Sequence, residues 1–185
     1  MAGMTETISK TKTVSATRNL VLSALFLAIG IVLPFLTAQI PSVGSMLLPM
    51  HIPVLICGFV CGGPYGLLVG AIVPLLRSVM FGMPPMMVAI PMAFELAVYG
   101  LVTGLLYNKL KKNTANIYVS LLAAMLCGRI VWGVVKLVMA GMGSNSFGMA
   151  MFISGAFTTA IPGIILQIVL IPIIIMALRK ANLID

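Results

Sequence analysis

Five ionisable side chains sit inside or at the margins of long apolar runs of this chain: His51, Arg77, Glu95, Arg129 and Lys136. A charge in hydrocarbon is costly, so residues of this kind face a protein interior or a watery cleft and mark places where polar molecules are handled. Arg129, Trp132 and Lys136 follow one another at spacings of three and four, which puts two cations and an indole on one helix face. Glu95 and Tyr99, four apart, add a carboxylate and a phenol on another. The chemistry of such a set is binding: aromatic rings stack on a flat group while charges orient it. With His51 neutral, three cations face one carboxylate. Glu95 neutralises one of them, and the excess favours an anionic or zwitterionic ligand. The expected substrate-binding set is Glu95, Tyr99, Arg129, Trp132, Lys136, Arg77, His51 and, from a glycine-rich connection, Asn145.

Each of these residues also has a plainer reading. Arg77 and Lys136 can snorkel to outer headgroups. Glu95 and Arg129 can form a structural ion pair between two helices. His51, between Pro49 and Pro53, can satisfy loose carbonyls. Trp132 at midspan does not fit the interfacial aromatic belt.

Catalysis has no visible apparatus. There is no Walker A sequence, no His-Glu-x-x-His, no Gly-x-Ser-x-Gly and no paired acidic motif. Ser144 has no partner base in view. The chain is therefore not expected to be an enzyme. Cys57, Cys61 and Cys127 all fall in apolar runs, an odd number giving neither a disulfide framework nor a metal ligand set. No metal and no cofactor are expected.

The elements that must position these groups follow from composition. Of 185 residues 61% are hydrophobic and 8% charged, with a mean hydropathy of +1.20, against about 45–50% and about 25% in soluble domains. The apolar runs are long and continuous, unlike the alternating strands of a membrane barrel. Six segments are predicted, at roughly 17–38, 47–62, 65–81, 89–108, 117–140 and 153–178. The second and third are near the lower length limit for a span, which leaves room for a tilted or re-entrant course. The fold class is an all-α membrane protein of six transmembrane helices.

The net charge of +8 arises mainly outside these runs, at Lys10, Lys12 and Arg18, at Lys109, Lys111 and Lys112, and at Arg179 and Lys180. That pattern is cytoplasmic flanks, not a nucleic-acid surface, and it places both termini and the fourth-to-fifth connection inside. An even number of spans is what this orientation requires. The domain reading is a cytoplasmic tail over 1–16, a transmembrane substrate-binding domain over 17–180 and a cytoplasmic tail over 181–185. Residues 1–16 are polar and the first apolar run is too long for a cleaved leader, so no signal peptide is expected. On this topology all five intramembrane ionisable groups lie between the midplane and the outer surface. Glycines recur at 58, 62, 66 and 70, a small-residue rhythm that ordinary helix packing explains.

The sequence also resembles a known family. Ala24-Leu25-Phe26-Leu27-Ala28, Leu48-Pro49-Met50-His51-Ile52-Pro53-Val54, Gly58-Phe59, Gly63-Pro64-Tyr65-Gly66, Pro84-Pro85 and Ala93-Phe94-Glu95-Leu96-Ala97-Val98-Tyr99-Gly100 together resemble the S components of energy-coupling factor (ECF) vitamin transporters. The resemblance implies high-affinity binding of a water-soluble vitamin or related micronutrient from the outer side. It also implies docking onto a transmembrane coupling (T) subunit and two ATPase subunits, and residence in a prokaryotic plasma membrane. Ala24 and Ala28 match the motif that the family uses for that docking. Combined with the charge argument, it favours a carboxylate-bearing cargo such as pantothenate or a folate- or niacin-like acid. The alternative is a stand-alone proton-coupled secondary transporter of a small organic anion, with Glu95 as its proton site.

Overall fold

The computed structural model describes residues 2–37, 47–141, 160–181 and 183–184, with side chains over 16–35 and throughout the later stretches. Every regular element among them is helical. Helix α1 spans Ala2–Val32 and tightens into a 3-10 turn at Leu33–Thr37; α2 is His51–Cys61, α3 Gly63–Phe81, α4 Met86–Lys109, α5 Thr114–Gly141 and α6 Ile161–Lys180. The apolar part of α1, Ala16–Phe35, and all of α3, α4, α5 and α6 are long and apolar enough to cross a membrane. The protein is an all-α, multi-pass membrane protein. Asn145 and the first residues expected in the sixth segment, 153–159, lie outside the described residues.

Helix α2 departs from a plain transmembrane rod. Its eleven residues make about 16 Å of helix, half of a hydrocarbon core about 30 Å thick. It is also the most enclosed element, with every residue except Val60 buried, and it packs against α1, α3, α4 and α6. Its buried side chains Leu55, Ile56 and Phe59 join Tyr99, Tyr107, Ile117, Leu121, Ile171 and Ile175 in one apolar core. Leu48, with φ 50°, turns the chain into α2, and the His51 N–H donates to the Leu48 carbonyl at 3.1 Å.

Missing side chains explain how α2, α3 and α4 come so close. A Cβ placed on Gly66 would lie 2.7 Å from the Gly100 carbonyl oxygen, and one on Gly58 would lie 2.6 Å from the same oxygen. Gly70 lies against the Leu96 backbone and Gly104 against Gly63. Without a hydrophobic drive between helices in lipid, such backbone approach supplies the van der Waals contact that holds them. The glycine rhythm is thus an internal seam between α2, α3 and α4. The faces turned outward carry Leu122, Leu126, Ile130 and Val134 on α5 and Ile165, Val169 and Ile173 on α6, all exposed, as lipid requires.

This seam also sets relative heights. Gly63, just past the end of α2, meets Gly104, five residues from the inner end of α4. Nearby, Asn19 Nδ2 donates to the Cys61 carbonyl at 3.5 Å, and Arg18 donates to the Leu183 carbonyl. Asn113 Oδ1 accepts the Asn116 N–H at 2.8 Å and so caps the start of α5. From Cys61 back to His51, α2 extends about 15 Å, about half the length a membrane span requires.

Candidate functional site

The point where α2 stops is where the ionisable groups meet. Glu95 lies fourteen residues above the inner end of α4 and Arg129 fifteen above the inner start of α5, about 21 and 22 Å of rise. Arg129 Nη1 is 3.1 Å from Glu95 Oε1, and His51 Nε2 is 3.7 Å from the same oxygen. All three residues are buried. His51 therefore lies at the level of Glu95, deeper than its place in the second segment suggests. The reason is the shortness of α2: the helix ends at Cys61, beside Asn19, and its first residue, His51, is only about 15 Å from that end.

Tyr99, one turn inward of Glu95, stacks edge-on against the His51 ring with centroids 5.3 Å apart. Its ring fills the space over Gly128 on α5, where a Cβ would overlap ring carbons. Glycine at 128 thus lets α5 approach α4 closely enough for Arg129 to reach Glu95. Trp132 and Lys136 continue outward along α5, both half-buried.

The chemistry of this cluster lies in what its members leave unused. The Arg129–Glu95 contact lacks hydrogen-bond alignment, so Glu95 Oε1 has no hydrogen-bond partner despite the ion pair. Arg129 Nε and Nη2, both imidazole nitrogens of His51 and the Tyr99 hydroxyl are likewise buried and unpartnered. A buried polar atom without a partner costs about 1–3 kcal/mol, and native interiors hold few of them. The N-terminus of α2 adds to the same region, with Met50 and His51 buried and no side chain capping the helix. A helix N-terminus carries about half a positive charge, and half-helices that end within a membrane protein direct it at anionic groups. Guanidinium donors and a positive helix end together suit an anion better than a neutral or cationic molecule.

Arg77 stands apart. It lies seven residues past Gly70, which packs on Leu96 beside Glu95, and therefore about 10 Å further outward. Its Nη1 donates to the Ile31 carbonyl at 2.6 Å, and its guanidinium lies 4.7 Å from the Phe35 ring centre and 5.6 Å from that of Phe81. The two rings meet edge-to-face at 5.1 Å. The last carbonyls of a helix lack intrahelical partners and carry partial negative charge, so Arg77 ties α3 to the outer end of α1.

The structure adds a residue that the sequence reading passed over. Gln167 on α6 is fully buried, with both amide atoms unpartnered. It is the one amide in a twenty-residue run of mean hydropathy 2.7, a signal present in the sequence but set aside when only ionisable groups were weighed. The Thr103, Tyr107 and Ser120 hydroxyls are also buried and unpartnered; each lies on the inner side of the Glu95 layer. On α1, Ala24 and Ala28 are exposed, flanked by exposed Leu25 and Ile29.

Comparison with curated proteins and with solved structures gives no match. A family model described as "ECF transporter, substrate-specific component" matches residues 18–175, most of the chain, and places this protein in that family.

Proposed function

We propose that this protein binds a carboxylate-bearing water-soluble vitamin or related micronutrient, with pantothenate a leading candidate, on the outer side of a prokaryotic plasma membrane. It then passes that cargo inward as the S component of an ECF transporter. Family membership supports substrate-specific import; the anionic character of the cargo rests on Arg129. Arg129 is 5% exposed, engages Glu95 through Nη1 alone and keeps Nε and Nη2 unpartnered. A ligand carboxylate meeting those donors gains a charge-assisted pair and relieves the cost of leaving them bare. The half-span α2 directs its positive end at the same place. His51, Tyr99, Trp132 and Lys136 surround this anchor in the reading, and Asn145 remains a proposed contact from the outer connection.

Energy comes from partners, a transmembrane coupling subunit and two ATPases, which dock on α1 through Ala24 and Ala28. Small side chains at that spacing let a partner helix approach closely, and both are exposed. Mass spectrometry on the purified protein identifies the cargo: an acid is expected, and a bound cation as native ligand would refute the anion reading. Ala24→Glu is expected to leave ligand affinity unchanged while abolishing uptake in cells, and uptake surviving this change would show that docking lies elsewhere.

A further inference from the structure

A glutamine with neither amide atom engaged is an unusual occupant of a membrane helix interior. Residues Gly163, Gln167, Ile171 and Ile175 recur every four positions as the buried stripe of α6, the face that packs on α5 and α2. Gln167 lies thirteen residues above the inner end of α6, about 20 Å of rise. That is the level that Glu95 and Arg129 reach on their own helices. The packing agrees: Ile171, one turn inward, shares a core with Ile52, Tyr99 and Met125, and Ile164 and Ile168 pack against the same core. Ile52 follows His51, Tyr99 is one turn from Glu95 and Met125 is one turn from Arg129.

The chemistry of the orphaned group narrows what would satisfy it. A primary amide offers an acceptor and a donor side by side in one plane, so its full complement is a group with an N–H next to a C=O on one edge. Lactams, ureido groups and pyrimidinone-type rings carry such an edge; a simple carboxylate carries only acceptors. We infer that Gln167 is a specificity-determining residue of the Arg129 site, reading a lactam or ureido edge on the same ligand whose acid group faces Arg129. This rests on the binding reading above and narrows it to a two-ended substrate class, a heterocyclic acid with adjacent donor and acceptor at the end away from its carboxylate, which sets aside the acyclic pantothenate in favour of ring acids.

The test uses the full-length protein in lipid nanodiscs and two matched pairs of acids. Biotin and lipoate share a pentanoate tail on a sulfur-containing ring, but only biotin has a ureido edge. Orotate and nicotinate are small ring acids, and only orotate has lactam edges. In at least one pair the edge-bearing acid should bind about ten- to a hundredfold tighter. Gln167→Leu should erase that preference and leave the other acid's affinity unchanged. Without ligand, the same variant should melt at or above the wild-type temperature, because it removes an unpaired buried amide. Acids that bind with dependence on Arg129 but show no preference within either pair, or a preference that survives Gln167→Leu, overturn this inference alone. So does a lower melting temperature of the unliganded variant, which would show the amide satisfied within the protein. Binding of none of the four acids overturns this inference, whereas the parent reading falls only if the cargo identified by mass spectrometry is not an acid.

Discussion

Two arginines are buried in this membrane protein to nearly the same degree, 3% exposed for Arg77 and 5% for Arg129, and they are used in opposite ways. Arg77 donates to the Ile31 carbonyl and lies against two phenylalanine rings, every partner supplied by the outer ends of α1 and α3. Arg129 has one acidic neighbour and two nitrogens with no partner, next to an uncapped helix end and a histidine whose ring nitrogens make no hydrogen bond. Burial alone therefore does not distinguish a structural cation from a functional one. What separates them is how far the protein itself satisfies the group: Arg77 has a carbonyl and two rings as partners, whereas two Arg129 nitrogens are left bare, which is the basis for proposing that Arg129 meets a ligand.

Substitution at the two positions breaks or sharpens this contrast. Arg129→Ala should have the largest effect, weakening ligand binding about a hundredfold or more. It should also cost about 3–5 kcal/mol of stability, because Glu95 is left as an uncompensated buried charge. Titration of purified protein with the identified cargo, together with thermal unfolding, measures both. Affinity within threefold of wild type would end the assignment of Arg129 to the site.

Arg77→Ala should do the reverse. Losing a hydrogen bond from a charged donor costs about 1.5–3 kcal/mol, and losing the ring contacts about 0.5–1 kcal/mol more, with ligand affinity unchanged. A drop in affinity without a drop in melting temperature would place Arg77 in the binding machinery, as its sequence position first suggested. The smallest effect is expected for Arg77→Lys, about 1 kcal/mol. An ammonium can still reach the Ile31 carbonyl but lacks the planar face that lies on Phe35. Equal melting of the lysine and alanine variants would show that the rings, not the carbonyl, hold Arg77.

The difference between these arginines bears on how much was legible beforehand. Apolar run lengths placed α3, α4 and α5 within about three residues of the observed limits, because a bilayer of fixed thickness requires helices of near-fixed length. The pairing of Glu95 with Arg129 was weighed from charge count and depth, and the two do meet. His51 is expected near the outer entry of the second segment, and the structure brings it within 3.7 Å of Glu95. Hydrophobicity marks where a segment is apolar, not where the chain stops being helical, so the sequence leaves the second segment open between a short span and a re-entrant course, and only the structure shows the eleven-residue buried helix. Arg77 and Arg129 carry the same charge in similar runs, and nothing in either run states which carbonyl or ring lies across the interface. Gln167 was overlooked because one neutral amide barely alters the hydropathy of its surroundings.

Sequence alone determined that this chain lives in a membrane, that it is helical throughout its apolar runs and that its basic flanks share one side. These properties follow from solvent transfer and backbone hydrogen bonding, which act residue by residue along the chain. Only the tertiary structure decided which costly polar groups are satisfied and which are not. That depends on atoms from helices far apart in sequence: Ile31 reaching Arg77, Glu95 reaching Arg129, and Gly128 making room for Tyr99.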